Sequence, residues 1–584
     1  MASVDDIFKY SGVPSKRKLE AIKDPNEIYK ASKLGANGSS RHNHHEASNE
    51  HGDTEVAEAD GDDDDFGPEM PPSAGDGEEE DGGDDEDGRF FGGGISKQES
   101  QMLDYVDGAA ADIDTVPDKI DAAWLRKTAL NFEKHITKNA ELRAKFENDP
   151  QKFIGSEADL DADIKGLSIL SEHPELYPEF VKLGSVNSLV SLLAHENTDI
   201  AIDAMEVIGE LTDEDVEAPE EQWTAVVDAL IEADLVGLLV SNLSRLDEED
   251  EADRNGVYYA LGILENLCSQ SASATRIGQQ ESLLSWLLQR IQRKESLVSQ
   301  NKQYAAEILA ILAQASPENC LQLAKLDAVD TLLQLVAAYR KRDPDKGGEE
   351  EEYMENLFEA LTCMADQSLG KTKLLEAEGV ELCLIMLKEG KMSKGPALRL
   401  LDHAASTDVC IKIVEAGGLK AIFTLFIKTQ DHRLLGHLLG IFASMLRLLP
   451  ATSAERIRTL AKFVEKDYEK TAKLVKLHWE YSGRVRRAEQ EYAQDDVDDE
   501  DVELLSRRLD AGLFTLQQID VALAWLVAED AGASKKIKKL LTERDEDLSS
   551  LARILSEQQQ ALDTSDEDSK DLSEMLSTLI TFLR

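Results

Sequence analysis

Between residues 186 and 446 the chain repeats one pattern six times: a short, Leu-rich apolar run, a polar break, and a longer stretch whose apolar residues fall three and four apart. The short runs are VNSLVSLL, LVGLLVSNL, LLSWLLQRI, VDTLLQLV, VELCLIML and LKAIFTLF, beginning at Val186, Leu235, Leu283, Val329, Val380 and Leu419. Their longer partners are TDIAIDAMEVIGEL, NGVYYALGILENL, NKQYAAEILAIL, EEYMENLFEALTCM, SKGPALRLLDHA and DHRLLGHLLGIFASML. Spacings of three and four mark helices with an apolar stripe. No unit is large enough to bury its stripe alone, and a period of about 40 to 50 residues is that of armadillo and HEAT arrays. The units must therefore stack, each covering the next. The expected fold is all-α, an armadillo/HEAT-type superhelical solenoid.

The remaining chain divides around this array. Residues 1–110 read as a disordered, acidic region with a short basic cluster, 117–182 as N-terminal capping helices, 183–450 as armadillo-like repeats, and 451–584 as a C-terminal helical region. The stretch GDDDDFGPEMPPSAGDGEEEDGGDDEDG holds no basic residue and almost nothing aliphatic, so it has too little apolar surface to offset its ordering entropy. Ahead of it, VPSKRKLE places Lys16, Arg17 and Lys18 together, a candidate nuclear import signal. HNHHEASNEH reads as polar linker, since a metal site needs supporting groups that such a segment does not supply. After Ala451 come long charged helices in which Leu509, Leu513, Leu516 and Ile519 share one face. That face has to pack, as a cap on the open end of the rod or as the contact of a homodimer.

In such solenoids the third helix of each repeat lines the concave surface. The first of these carries Asp199, Asp203, Glu206 and Glu210 at offsets of four, seven and eleven, which falls within a stripe of about 60° on a helix of 3.6 residues per turn. The rest of that helix is apolar, with Ile200, Ala201, Ile202, Ala204, Met205, Val207, Ile208 and Leu211, so it is expected to be buried between neighbours with only the acids reaching out. Polar residues at corresponding turns of the next helices are Tyr259, Glu265 and Asn266, then Tyr304 and Glu307, then Asn356 and Glu359. Together these residues are the candidate groove for a basic peptide. The plainer alternative is a solvated helix face.

A formal net charge of -53 argues against direct binding of nucleic acid, which draws on a surplus of Lys and Arg. A basic protein segment is the natural complement. The five cysteines lie singly in apolar helical segments, without paired spacing, and read as reduced core residues. No apolar run approaches the roughly 18 residues of a membrane span, and no secretion signal is apparent, so a soluble, intracellular protein without a membrane partner is expected. Phosphate-loop, dinucleotide, zinc-protease and nucleophile-elbow motifs are missing. His403 and His437 have no nucleophile or carboxylate at catalytic spacing and read as structural. The expectation is therefore no enzyme, no cofactor and no metal.

The stretches HENTDIAIDAMEVIGELTDED, NKQYAAEILAILAQ, YMENLFEALTCMADQ, ALRLLDHA and above all SRRLDAGLFTLQQID resemble the beta-catenin-like family of nuclear, spliceosome-associated armadillo-repeat proteins, from about Trp124 to about Leu526. The resemblance implies a nuclear scaffold bound to the spliceosomal nineteen complex through basic, import-signal-like segments of its Myb-related subunit and of other splicing factors, and a tendency to self-associate. Two departures stand out: the basic tract near the N-terminus is short, and the stretch after about Ala533 does not match. A nuclear transport adaptor or an acidic chaperone for basic cargo is the alternative. Against a standard import receptor, Trp124, Trp223, Trp286, Trp479 and Trp525 lack the Trp-x-x-x-Asn spacing by which such receptors read basic peptides.

Overall fold

The computed structural model describes residues 119–493, 501–562 and 567–584. The acidic region, the Lys16–Lys18 cluster and the His-rich linker lie outside the described residues. Among the described residues every regular element is helical. Two helices, Ala122–Lys145 and Ile154–Gly166, precede six three-helix units. The first unit comprises Tyr177–Lys182, Ser185–Ser191 and Thr198–Thr212, and the second Glu220–Glu232, Leu235–Arg245 and Glu251–Leu267. The third holds Ser271–Ile277, Glu281–Gln292 and Gln300–Ala315, and the fourth Pro317–Lys325, Ala328–Val336 and Glu349–Asp366. Ser368–Glu376, Gly379–Glu389 and Lys394–His403 form the fifth, and Thr407–Glu415, Leu419–Lys428 and His432–Leu448 the sixth. The expected solenoid is present, and the last helix of each unit, here the inner helix, packs on its counterparts before and after it.

Each junction follows from local chemistry. The chain turns from first to second helix through a left-handed residue in five units: Gly184, Asp234, Asp327, Glu378 and Gly417. The polar breaks supply side-chain N-caps for four of the six inner helices. Asn197 accepts from the Asp199 amide, Asp250 from those of Ala252 and Asp253, Ser299 from that of Lys302, and Asp431 from those of Arg433 and Leu434, each satisfying amides that a helix start leaves orphaned. The fourth inner helix has no side-chain cap and instead opens on Glu349, Glu350, Glu351 and Glu352, whose charges suit the positive end of the helix dipole.

Side chains fasten four of the repeats to backbone carbonyls of their predecessors. Asn242 Nδ2 donates to Leu193 O at 2.8 Å, Trp286 Nε1 to Leu243 O at 2.9 Å, Tyr353 Oη to Ile291 O at 2.8 Å and Ser393 Oγ to Tyr339 O at 2.9 Å. Close backbone approach does the same at Gly370, where an added Cβ would stand 1.8 Å from Met364 O on the fourth inner helix.

At the far end the predicted cap is present, with one difference. The stretch Ala454–Tyr492, among the long charged helices expected after Ala451, is interrupted where Lys466, Asp467 and Tyr468 take left-handed conformations. Thr471 Oγ1 then donates to Phe463 O at 3.0 Å, which closes the break. The fold-back lets Phe463 meet Phe423 and Phe442 edge to face at centroid distances of 4.8 and 5.3 Å, joining the last repeat to the cap. Leu513–Glu529 packs on both His432–Leu448 and Ala454–Tyr492. Leu509, Leu513, Leu516 and Ile519 are buried, as their spacing predicts. Among the described residues no single helix is long and apolar enough to cross a membrane.

Two outcomes follow. Gly370→Ala drives a methyl into backbone that has no room to yield, and should lower stability by at least about 2 kcal/mol, read as a drop in denaturation midpoint. Truncation before Leu504 uncovers the apolar face of the last repeat, where each large side chain contributes about 1.5–3 kcal/mol by burial; it should aggregate on a sizing column, and a monomeric truncate melting with the full chain would contradict this packing.

Candidate peptide-binding face

The first inner helix is buried at Ile200, Ala201, Ile202, Ala204, Met205, Val207, Ile208 and Leu211, as its pattern predicts. Its four acids are not equivalent. Asp199 and Glu210, at the ends, are exposed, and Asp203 and Glu206, between them, are half-buried. The reason lies in the Ile154–Gly166 helix, which crosses this face and brings Asp161 and Lys165 against it. Lys165 Nζ stands 2.6 Å from Asp161 Oδ1 and 3.4 Å from Asp203 Oδ1. From the other side Tyr259 Oη donates to Glu206 Oε1 at 2.9 Å. These groups, with Glu157 and Asp199, surround an open cavity of about 580 Å³.

Its electrostatics are lopsided, with Lys165 the single cation among these lining groups. Burial, together with the neighbouring Asp161 carboxylate, pushes Asp203 up to about 7, while the hydrogen bond from Asp203 holds Asp161 below its usual value. At neutral pH the two carboxyls thus compete for one proton. Burial also raises Glu210, with help from the charge of Glu206, and pushes the Tyr259 hydroxyl up to about 12.

Farther along the rod the expected open stripe does not continue. Glu265, Tyr304, Glu307, Asn356 and Glu359 are all buried. Tyr304 donates to Glu265, Gln303 Nε2 to Glu307 Oε2 at 2.9 Å, and Gln314 Nε2 and Arg399 Nη2 to Glu359 at 2.7 and 2.5 Å. Burial and the Glu265 charge raise the Tyr304 hydroxyl strongly. Asn266 Nδ2 bonds Gly209 O at 3.1 Å and Thr212 Oγ1 at 3.3 Å, tying the second inner helix to the first. The physical reason is the close packing of successive inner helices: a polar group between two of them is covered and must find a partner, across the joint or, as for Glu307, on its own helix. The structure thus brings Asp199, Asp203, Glu206 and Tyr259 together at one site, with Glu210 one turn on, and places the others in the joints.

The sequence reading missed Asp161 and Lys165. Asp159, Asp161 and Asp163 in DLDADIK were the available signal, but nothing in the sequence says which repeat a capping helix crosses. His403 and His437 bond Asp366 and Asp402 at 3.1 and 2.9 Å, in keeping with structural roles. Four of the cysteines are buried and Cys363 is half-buried. Among the described residues no group of three or more metal-ligating side chains is present.

The shared proton gives a testable pH dependence. Asp203 in the folded chain holds its proton to about pH 7, whereas the unfolded carboxyl releases it near 3.8. The unfolded state therefore binds fewer protons in that window, and this pair destabilises the fold increasingly as pH rises through it. Asp203→Asn should accordingly raise stability at pH 8 by about 1–2 kcal/mol and leave it nearly unchanged at pH 4, as read from denaturation midpoints across pH.

Residues 100–556 match the model of a family described as catenin-beta-like, Arm-motif containing nuclear. The chain is 38% identical over 489 residues to the beta-catenin-like protein 1 homolog of Schizosaccharomyces pombe, covering 82% of this chain and 86% of that protein. It is 36% identical over 469 residues to beta-catenin-like protein 1 of Homo sapiens, covering 75% and 82%. The solenoid, its sequence motifs and these likenesses agree: the chain belongs to the catenin-beta-like family of nuclear Arm-motif proteins.

Proposed function

We propose that this chain is a non-enzymatic nuclear scaffold of pre-mRNA splicing, which holds basic segments of splicing factors on the acidic part of its concave face. The observation that carries the reading is the open cavity bounded by Asp199, Asp203, Glu206 and Tyr259, in which Lys165 is the single cation among the lining groups named above. A Lys or Arg side chain entering it would relieve the repulsion between Asp161 and Asp203 and release the proton they share. The exposed Asp199 and Glu210 extend the same charge along the helix. The family resemblance supplies the partner class: nineteen-complex proteins, above all the Myb-related subunit with its import-signal-like segments, met in the nucleus. Self-association belongs to the same reading. The acidic-chaperone or transport-adaptor alternative is favoured by the net charge of -53 alone; affinity purification from nuclear extract separates the two, since the scaffold brings down splicing proteins and the chaperone histones or transport factors.

Exposed ion pairs each contribute well under about 1 kcal/mol, so a bound segment must make several at once and binding must weaken steeply as salt screens them. Changing Asp203 and Glu206 together to Lys should weaken binding of a Lys/Arg-rich peptide from a splicing partner at least roughly tenfold at low salt. A second variant, Asp199→Lys with Glu210→Lys, alters only exposed positions and should weaken it severalfold with unchanged helix content by circular dichroism. Folded variants that bind as tightly as the parent would reduce the stripe to a solvated face.

A further inference from the structure

The acidic cavity at the head of the concave face already holds a cation of its own. Five carboxylates line it, and they are not equally open to a guest. Glu157 is engaged from behind by Arg143, on the Ala122–Lys145 helix. Glu206 receives the Tyr259 hydroxyl on Oε1, which leaves Oε2 for another donor. Asp199 lies exposed at the start of its helix. The two that remain, Asp161 and Asp203, hydrogen-bond each other. Against both stands the Lys165 ammonium, 2.6 Å from the first and 3.4 Å from the second, in the place where a partner's cation would reach Asp203.

The packing does not require a lysine there. Leu160 and Ile164 are buried and hold Ile154–Gly166 against the first inner helix. Asp161 and Lys165 each follow one of these anchors by a single residue, which puts both on the same flank one turn apart. The Lys165 side chain keeps 55% of its surface in water, against 16% for that of Asp203. An ion pair so open adds little to stability and is readily exchanged. What the lysine does change is the charge at the cavity, where it offsets one of the carboxylates. It sits in the last turn of its helix, where the dipole favours a cation, so it is kept at hand without a cost in helix stability.

We propose that Lys165 is a built-in competitor of the partner: in the free chain its ammonium holds the place on Asp203 that a guest cation takes, and a basic segment docks by pushing it back onto Asp161, its neighbour one turn earlier on the same helix. The proposal rests on the reading of this face as an acceptor of basic segments and adds the residue that regulates entry. At Asp203 one cation replaces another, so the exchange there is nearly balanced. Net affinity has to come from further cations of the same segment, placed on Glu206 Oε2, Asp199 and Glu210. A segment with one isolated cation is thereby rejected, and one with clustered cations is accepted.

The full chain tests this by titration with a synthetic peptide of alternating Lys and Arg at low salt and pH 8. Lys165→Gln should bind the peptide at least about fivefold more tightly than the parent, since a positive charge close to the guest has been removed. Lys165→Arg, which restores the charge, should return to the parental affinity. In an Asp203→Asn background Lys165→Gln should gain less than about twofold, because the carboxylate for which the two cations compete is gone. Displacement is read on the parent chain itself, after reductive methylation with isotopically labelled formaldehyde, which leaves each lysine charged. Saturating peptide should shift the Lys165 methyl resonance, assigned by its absence from Lys165→Arg. Unchanged or weaker binding by Lys165→Gln, an undiminished gain in the Asp203→Asn background, or an unmoved Lys165 resonance at saturation would each overturn the proposal and leave the acceptor face standing. If no form of the chain binds the peptide, the acceptor reading fails, and the proposal falls with it.

Discussion

The rest of this structure depends on the packing of one inner helix against the next. An inner helix within the array is held between two like itself and two shorter helices of its own repeat, so apolar residues occupy most of its circumference, as in Gln300–Ala315. Any polar side chain in a joint loses its water and must find a partner there, because an unpaired buried polar group costs about 1–3 kcal/mol. Tyr259 with Glu206, Tyr304 with Glu265, and Arg399 with Glu359 are that solution at three of the five joints, each reaching from one inner helix to a carboxylate on the one before. The same constraint explains the carbonyl-directed bonds of Asn242, Trp286, Tyr353 and Ser393, which fix the stagger of repeat upon repeat.

Function is found where that rule is relaxed. At the first inner helix there is no preceding inner helix to pair with, and the Ile154–Gly166 helix takes its place. That helix brings Asp161 to Asp203 and offers one lysine against the assembled acids, so the joint stays short of positive charge and partly open. An incoming cation completes it. Farther along, the joints are complete and covered, which is why acids of the same type, Glu265, Glu307 and Glu359, differ so much in accessibility from Asp199 and Glu210.

Much of this was legible in the sequence. The six Leu-rich starts fall within two residues of the observed helices, and the apolar set of Thr198–Thr212 is buried as its periodicity requires. The first helices of the repeats were not legible: at six to nine residues Tyr177–Lys182, Ser271–Ile277 and Thr407–Glu415 are too short for a clear period, and they are marked mainly by a turn. Nor was the break at Lys466–Tyr468, since EKDYEK is composed of ordinary helix formers and the reversal is imposed by the docking of Phe463 on Phe423 and Phe442. The candidate site was half legible. Helical spacing places Asp203 and Glu206 on one face, but whether Glu307 on a later helix meets solvent depends on how closely the neighbouring inner helices pack around it, which no local pattern records.

The central claim is that basic segments enter the acidic concave face at its N-terminal end. Hydrogen–deuterium exchange of the full chain, with and without a saturating Lys/Arg-rich peptide, tests it most directly. The account predicts slowed exchange at the start of Thr198–Thr212, along Ile154–Gly166 and at the start of Glu251–Leu267, where Asp203, Asp161 and Tyr259 meet, with the cap from Ala454 onward unchanged. Slowed exchange confined to that cap, or none anywhere at saturation, would contradict it.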